Sequence, residues 1–545
     1  MKAALKPPHD TQPRTLVDAL LEEQRSLTAV ERFSLVHERD DSPKQAKFYR
    51  DLIPLTVPAP GQQYGFEVDL DKCSGCKACV TACHSLNGLD DEETWRDVGL
   101  LYSDDWRAPF QVSVTTACHH CVDPACLTGC PVLAYDKDPA TGIVHHLDDQ
   151  CIGCQYCVMK CPYEVPQYSA KRGIVRKCDM CSNRLSQGEA PACVQACPSQ
   201  AIRITLVDQQ DVSNQFHEQA AAGTRTTPPI NSFLPCSPAP EYTVPTTRYK
   251  SSKPLPAGLL AGNRARVAPA AAHLPLVFML VLSQLAVGAS TAAVFLEPAK
   301  WLALVAAVFG VLAIGVGTLH LGQPLKAWRA FLGWRTSWFS REVIVFSAFV
   351  PLTLAAAASC WFAPLAPLQK SLMLAACATG LLGVACSAMI YVDTRREFWR
   401  ASQSFGKFIA TTMLLGAGVA LATSTSHVVM LAALMGVVTA AKLCLEHRVF
   451  QHLVDDETQS PSSLSKSARL LAGELGFFAR IRIPCGIAGG ILLPFLLAVE
   501  FAPGDVHGRW LVFVALAFCL AGELLERFLF FTAVAPAKMP GGLVA

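Results

Sequence analysis

Four stretches decide the fold of this 545-residue chain: CSGCKACVTAC (73–83), CHHCVDPACLTGCP (118–131), CIGCQYCVMKCP (151–162) and CDMCSNRLSQGEAPACVQACP (178–198). Together they contain 16 of the chain's 23 cysteines. A cubane of four irons and four sulfides takes four thiolate ligands, so these cysteines suffice for four 4Fe–4S clusters. The predicted metal ligands are Cys73, Cys76, Cys79, Cys83, Cys118, Cys121, Cys126, Cys130, Cys151, Cys154, Cys157, Cys161, Cys178, Cys181, Cys193 and Cys197.

The first and third stretches have the spacing C-x2-C-x2-C-x3-C of bacterial ferredoxins, in which the fourth cysteine binds a neighbouring cluster. A proline follows the last cysteine of every stretch except the first, where His84 follows. The four stretches therefore predict two ferredoxin-like modules. Disulfides and zinc ribbons are the alternatives, but the C-x2-C-x2-C triplets fit neither well.

Composition divides the chain into a polar half and an apolar half. The mean hydropathy is +0.31 and 51% of the residues are hydrophobic, with the long apolar runs confined to residues 273–531. The net charge of +2 gives no reason to expect a nucleic-acid partner. We predict an N-terminal extension (1–62) with an amphipathic helix in its LVDALLEEQRSLTAVERFSLV stretch, a four-cluster domain (63–207), a Pro/Ser/Thr-rich linker (208–270) with Cys236 as a free thiol, and a membrane domain (271–545).

Eight apolar segments are each close to the ~20 residues that cross a bilayer. They are approximately 273–296, 301–321, 342–363, 371–391, 408–425, 427–445, 484–503 and 510–531. Helices are the architecture expected for such segments, because backbone polar groups must be satisfied within each of them. The predicted fold is therefore an α+β double ferredoxin-like four-cluster domain joined to an all-α eight-helix transmembrane bundle.

Positive charge is concentrated on one side of the predicted bundle. With eight spans, most lysines and arginines fall before the first span and in the even-numbered loops, whereas the opposite loops carry Lys300, Lys370 and Arg509. Positively charged loops stay in the cytoplasm. The N-terminal stretch has no apolar region of a Sec signal. We therefore expect a multi-pass protein of the bacterial inner membrane with its clusters in the cytoplasm.

Polar groups within spans are expensive and are often functional. His320 closes the second predicted span, and Arg341 and Glu342 open the third. A neutral histidine or a carboxylate at this level can take protons from a quinol, although a histidine that caps a helix is also a common structural feature. Lys442, Glu500, Glu523 and Glu526 are further candidates, for which helix-end packing or ion pairing is an equal explanation.

A b-type haem requires two axial histidines that face each other, and His320 and His427 are predicted on opposite sides. We therefore expect no haem. Lysines and arginines near the cysteines, among them Lys160, Arg176 and Lys177, either raise cluster potentials or belong to a solvated or docking surface.

Residues 64–207 resemble the four-cluster electron-transfer subunit of the dimethyl sulfoxide reductase family of molybdenum enzymes. HLGQPLKAWRA (320–330), SREV (340–343) and MIYVDTRREFW (389–399) are similar to the eight-span anchor subunit of that family. In such subunits the first cysteine group partners the fourth and the second partners the third. The resemblance implies the ligand sets Cys73, Cys76, Cys79, Cys197; Cys83, Cys178, Cys181, Cys193; Cys118, Cys121, Cys126, Cys161; and Cys130, Cys151, Cys154, Cys157.

The resemblance also implies a menaquinol site at His320 and Glu342 and a separate molybdopterin catalytic subunit, so that this chain has no catalytic molybdenum site of its own. The expected function is to pass electrons between the quinol pool in the membrane lipid and that subunit. The alternatives are a complex of the sulfite dehydrogenase type, with electrons flowing into quinone, a nitrate reductase type, and a zinc-binding membrane scaffold with no redox role.

Overall fold

The computed structural model describes residues 15–25, 28, 30–31, 46–222, 233–297, 299–423, 427–457, 462–500 and 506–542. The predicted N-terminal helix is present over Leu16–Arg25 (α1), and most of the remaining stretch lies outside the described residues. A short helix, Ala46–Tyr49 (α2), and the turn after it bury Tyr49 and Leu52 against the cysteine-rich region.

Small sheets and short helices build the cysteine-rich part. Its strands, as far as the structure describes them, form four sheets in the orders β8-β1-β9, β10-β2-β3, β4-β5 and β6-β7. Their bounds are β1 Gln62–Asp69, β2 Asp97–Tyr102, β3 Gln111–Thr116, β4 Tyr135–Lys137, β5 Val144–His146, β6 Gln167–Ser169, β7 Ile174–Arg176, β8 Ile202–Asp208, β9 Arg248–Lys250 and β10 Leu260–Ala261. The helices are α3 Ala78–Asn87, α4 Ala125–Gly129, α5 Tyr156–Lys160, α6 Ser182–Ser186 and α7 Ala192–Gln195.

The ends of this region are held together by β1 and β8, which pair antiparallel from Gln62 opposite Asp208 to Val68 opposite Ile202. The first and fourth cysteine stretches therefore lie side by side, although they are about a hundred residues apart in sequence. This closure is the double ferredoxin-like arrangement that the cysteine spacing predicts.

The segment predicted as a loose linker is folded onto this region wherever the structure describes it. A helix, Gln209–Ala222 (α8), follows β8; farther on, β9 pairs in parallel with β1, and β10 pairs antiparallel with β2. The reason is a set of apolar residues among the prolines, including Phe233, Val244 and Tyr249, whose side chains are buried against Val68. Composition alone does not predict this folding, because it depends on a few buried apolar side chains and not on the larger number of polar residues in the segment.

Long helices make up the rest of the chain. They are α9 Leu274–Phe295, α10 Ala299–Thr318, α11 Trp338–Ser359, α12 Gln369–Val392, α13 Ala401–Thr423, α14 Val428–His447, α15 Ser463–Ala472, α16 Gly476–Ile487, α17 Leu493–Glu500 and α18 Val506–Thr532. A π-helical segment, Ala488–Leu492, joins α16 to α17. Among the described residues, seven helical segments are long and apolar enough to cross a membrane. The eighth predicted span corresponds to α18, whose described part includes the charged residues Glu523, Glu526 and Arg527.

Helix α9 lies at the centre of the bundle and is buried along most of its length. It meets α13 at Gly288 and Gly416, where a Cβ atom on Gly288 would lie 2.3 Å from the carbonyl oxygen of Thr412. Small residues at such crossings let helix backbones approach closely in membranes, where the hydrophobic effect does not drive association.

The cysteine-rich part rests on one end of the bundle. The loop after α10 reaches it through Gln323, whose amide donates to the carbonyl of Ile152 (3.0 Å), and the start of α11 through Ser337, which donates to Gly129 (2.7 Å). Beyond α18, the C-terminal segment also returns to it, since the amide of Leu100 in β2 donates to the carbonyl of Gly541 (3.1 Å).

Candidate cluster-binding and quinol sites

All four cysteine stretches begin with the same backbone turn. The residue just before the second cysteine has a positive φ in each: 73° at Gly75, 41° at His120, 68° at Gly153 and 59° at Met180. This turn brings the second thiol back beside the first. It also directs amides at sulfur, as from Gly153 to Cys151 Sγ (3.4 Å). Backbone N–H groups aimed at sulfur are a known means of stabilising cluster ligands.

The structure brings the sixteen cysteines together in four sets. Cys73 interacts electrostatically with its set members, as do Cys83, Cys121 and Cys157 with theirs. Set A is Cys73, Cys76, Cys79, Cys197; set B is Cys83, Cys178, Cys181, Cys193; set C is Cys118, Cys121, Cys126, Cys161; set D is Cys130, Cys151, Cys154, Cys157. These are the groupings that the family resemblance implies, and small cavities lined by sets A and C lie between their thiols.

The donor set fits an iron–sulfur cluster. Each set offers four cysteine thiols, the number that one cubane takes, and the thiols of sets A and C line small cavities. Burial raises the pKa of thiols such as Cys126 and Cys154, and positively charged iron between them would stabilise the thiolates.

The four sets are arranged in a line. Arg96 lies between sets A and B, because its strongest electrostatic neighbours are Cys193 and Cys79. Lys177 lies between sets B and C, near Cys118 and Cys178. Tyr135 lies between sets C and D, near Cys157 and Cys126. The order A, B, C, D therefore runs from Cys76, which is exposed, to set D, which is covered by the membrane helices.

Set D adjoins the loop that follows α10. A Cβ atom on Gly322 would lie 2.1 Å from the carbonyl oxygen of Gly173, and one on Gly153 would lie 3.0 Å from the Gly322 Cα. Only glycine permits this approach, which explains the glycine of the HLGQ sequence as part of a docking loop. The imidazole of His320, two residues earlier, lies against the backbone of Cys154.

His320 and Glu342 line one cavity, as the sequence predicts. The cavity has a volume of about 130 Å³ and lies between α9, α10 and α11, with apolar walls that include Met279, Phe339 and Phe346. The His320 Nε2 atom is buried and has no hydrogen-bond partner. Because His320 lies beyond the end of α10 and is desolvated, burial lowers its pKa to about 4, and the ring is neutral at neutral pH.

Arg341 is not brought to the cavity. Its Nε atom donates to the carbonyl of Trp334 (3.1 Å), a terminal nitrogen donates to Arg335 (2.7 Å), and its guanidinium lies 4.3 Å from the Trp338 ring centroid. Successive residues on a helix point about 100° apart, and the Arg341 side chain turns toward carbonyls that precede α11, away from Glu342. The arginine instead fixes the chain at the start of α11.

Sequence analysis missed Ser387 of α12, which donates a hydrogen bond to Glu342. It also gave Asp393 no role. The structure pairs Asp393 with Lys160 of α5, and Tyr156 donates to its Oδ2 atom (3.3 Å). The MIYVDTRREFW sequence therefore docks the bundle onto set D. Its charged residues directly follow an apolar segment, a pattern that could have predicted a contact at the end of the bundle.

A second polar cluster lies among α13, α14, α16 and α18, and its side chains are almost fully buried apart from that of Glu446, which is 18% exposed. It contains four cations and three carboxylates: Lys407, Lys442, Arg482, Arg527, Glu446, Glu523 and Glu526. Three of the sequence candidates, Lys442, Glu523 and Glu526, are thus accounted for by ion pairing. The side chain of the fourth, Glu500, lies outside the described residues.

The fold and the site define a membrane-anchored iron–sulfur electron-transfer protein. Residues 110–207 match the family described as a 4Fe-4S dicluster domain, and residues 270–533 match the DMSO reductase anchor subunit (DmsC) family. The protein is 38% identical over 157 residues to the B subunit of the anaerobic dimethyl sulfoxide reductase of Haemophilus influenzae, covering 27% of this protein and 76% of that subunit. It therefore belongs to the dimethyl sulfoxide reductase iron–sulfur subunit family, with its anchor fused to it.

Two further relatives extend the comparison. The B subunit of the Escherichia coli K12 anaerobic dimethyl sulfoxide reductase is 38% identical over 155 residues, with 27% of this protein and 75% of that subunit covered. The iron–sulfur subunit of the nitrate-inducible formate dehydrogenase of the same strain is 35% identical over 170 residues, with 27% and 57% covered. The protein thus carries the electron-transfer and anchoring parts of an oxidoreductase complex, which also requires a catalytic partner subunit.

Proposed function

We propose that this chain passes electrons between a quinol, such as menaquinol, and a molybdopterin-containing catalytic subunit through four 4Fe–4S clusters held by sets A to D. The chain anchors that subunit to the bacterial inner membrane by eight spans, and the cluster region faces the cytoplasm. No catalytic molybdenum site is assigned to the chain itself.

One observation carries this proposal. The cavity lined by His320 and Glu342 directly adjoins the turn that holds Cys151 and Cys154 of set D. An apolar cavity with a few convergent polar groups is the usual form of a site for a small ligand. A quinol in it would lie beside the cluster of set D at one end of the line, while Cys76 of set A at the other end is exposed for a partner.

His320 and Glu342 would each accept a proton when the quinol is oxidised. The free Nε2 atom of His320 is an acceptor for a hydroxyl proton, and Glu342, with its Oε1 bound by Ser387, is an acceptor on the other side. The apolar walls exclude water. Bound clusters would accept one electron at a time and deliver them along the line. Protons and electrons would thus both leave toward the cluster side.

The path of the chain supports eight spans and not seven. The cluster region precedes α9, and the segment after α18 returns to the same region, where the Asn263 amide donates to the Met539 carbonyl (3.1 Å) and Lys538 pairs with Glu164 (2.8 Å). Both contacts require an even number of crossings. Arg264, Arg329 and Arg335 on this side favour a cytoplasmic location.

We also propose that the chain holds no haem. His320 follows the cluster-side end of α10, whereas His427 precedes α14 at the opposite end of the bundle. Two axial ligands of one haem cannot be that far apart along the membrane normal.

Metal analysis of the complex purified without oxygen tests the clusters. We expect about sixteen irons per copy of this chain, since four cubanes hold four irons each. Reduction should give EPR signals from interacting clusters. The matched variant Cys130→Ser should lose about four of those irons, whereas Cys236→Ser, outside the four sets, should lose none. Zinc in place of iron, without EPR signals, would refute the proposal.

Reporter fusions test the topology. A reporter joined after residue 545 or within the loop between α10 and α11 should report cytoplasm, and one joined between α9 and α10 should report periplasm, because the former two share the cluster side. Opposite sides for the first two fusions would contradict an even number of spans. The reverse pattern at all three sites would contradict the orientation.

A further inference from the structure

Two buried cations lie at the inner junctions of the line of cysteine sets. The Arg96 side chain, at the junction of sets A and B, is 2% exposed, and that of Lys177, at the junction of sets B and C, is 3% exposed. Among the described residues, no carboxylate forms an ion pair with either of them. A buried charge is costly unless something compensates for it.

Arg96 is held so that its charge faces the cysteines. One terminal nitrogen donates to the Thr115 hydroxyl (3.2 Å), and that hydroxyl lies 3.6 Å from Cys79 Sγ. The guanidinium lies 4.6 Å from the centroid of the Phe66 ring, which fixes its plane. The other terminal nitrogen is buried and has no hydrogen-bond partner. A negatively charged group between the sets is the partner that this geometry lacks.

Lys177 is held in the same way at the next junction. Its ammonium nitrogen donates to the carbonyls of Val144 and Cys178, and it lies 3.7 Å from Cys118 Sγ. The junction of sets C and D has no such cation among the described residues, since Tyr135 with its neutral phenol occupies the corresponding place. The two junction cations therefore lie beside sets A, B and C, whereas the titratable neighbour of Cys151 in set D is His146, which pairs with Asp148 (2.8 Å).

We propose that Arg96 and Lys177 raise the reduction potentials of the clusters in sets A, B and C relative to the cluster in set D. This inference rests on the proposed function, because it requires clusters in all four sets. Each cluster gains one negative charge when it takes up one electron, and a fixed positive charge in a buried setting stabilises that reduced form. Electrons that enter at set D are thereby drawn away from the quinol cavity.

A purely structural role would give a different result on substitution. If the two side chains only fill space, an uncharged residue of similar size would leave the potentials unchanged. If the charge matters, Arg96→Lys should preserve the potentials and Arg96→Gln should not. Lys171 is exposed on the tip between β6 and β7, and Lys171→Gln is the matched control for the loss of one positive charge from the same region.

The experiment is an EPR-monitored redox titration of the complete complex, with iron content measured on each sample. In Arg96→Gln we expect lower midpoint potentials for two of the four clusters, those of sets A and B. In Lys177→Gln we expect lower potentials for the clusters of sets B and C, so that one cluster responds to both substitutions. Arg96→Lys and Lys171→Gln should match the wild type.

Unchanged potentials in both neutral variants would overturn the proposal. An equal shift of the potentials of all four clusters would also overturn it, because such a shift indicates that the substitution disturbs the whole cluster region. If Arg96→Gln loses iron, Arg96→Met, which is uncharged and fills a similar apolar space, replaces it. Loss of iron in every neutral variant would also overturn the proposal, because the cations would then serve cluster assembly. Absence of iron from the wild-type complex would instead refute the proposed function.

Discussion

Glu342→Gln is expected to slow the reduction of the clusters by a menaquinol analogue by about 100-fold or more, the usual contribution of a positioned proton acceptor. Glu342 is 5% exposed, and among the described residues no cation pairs with it. Its hydrogen-bond partner is the Ser387 hydroxyl, which donates to it and can donate equally to the glutamine oxygen. The substitution therefore removes the proton acceptor and keeps the shape.

His320→Asn should slow the same reaction by a similar factor. The Nε2 atom of His320 is buried without a partner, and its ring packs edge-on against His273 at 5.1 Å between centroids. Because burial lowers the pKa of His320, the ring is an uncharged acceptor at neutral pH, a role that asparagine does not fill. Stopped-flow absorbance of the clusters gives the rate for both variants.

Two controls make this test specific. Glu397→Gln removes an exposed carboxylate at the cluster-side end of the bundle and should leave the rate unchanged. Reduction by dithionite, which bypasses the cavity, should be equal in all variants. Rates equal to the wild type in both Glu342→Gln and His320→Asn would remove the cavity from consideration as the quinol site.

Much of this site follows from sequence because its chemistry depends on local spacing. The spacing of the cysteines predicts the four stretches, whereas the division into sets A to D and the shared site of His320 and Glu342 come from the family resemblance. Arg341, also predicted for the quinol site, does not line the cavity, because its guanidinium is bound by the carbonyls of Trp334 and Arg335.

The residues that sequence analysis missed act through tertiary contacts. Arg96 stands in an unremarkable stretch, WRDVGL, and only the pairing of β2 with β3 places it beside Thr115 and the cysteines. Lys407 and Arg482 fall in even-numbered loops of the predicted spans, among the positive charges from which the sequence predicts the orientation. The structure buries both within the bundle, where they pair with Glu526 and with Glu523. They therefore do not contribute to the orientation argument, which rests on the remaining cations.

Lys442→Met is expected to lower the free energy of unfolding by about 3–5 kcal/mol, the usual effect of removing one partner from a buried ion pair. The Lys442 side chain is fully buried and its ammonium group contacts Glu523, the Thr411 hydroxyl (2.6 Å) and Glu526 (3.5 Å). Methionine fills nearly the same volume. It leaves two carboxylates in the interior with one cation fewer, and a carboxylate without a partner is costly inside a membrane bundle.

A double substitution separates this electrostatic effect from packing. Glu523 also pairs with Arg482 (3.1 Å), so Glu523→Gln alone should destabilise as well. In Lys442→Met with Glu523→Gln, the loss should be smaller than the sum of the two single losses, because neither partner is then left unpaired. Lys370→Met, at an exposed lysine on the opposite side of the bundle, is the matched control.

Unfolding of the complex in mixed micelles with increasing denaturing detergent measures these differences. A change within about 0.5 kcal/mol for Lys442→Met, the range of ordinary surface substitutions, would mean that water reaches this cluster and solvates its charges. The charged residues would then line a hydrated pathway, and their ion pairs would not be what holds α13, α14, α16 and α18 together. A large loss with strong coupling to Glu523 would instead establish that these ion pairs hold the second half of the bundle together.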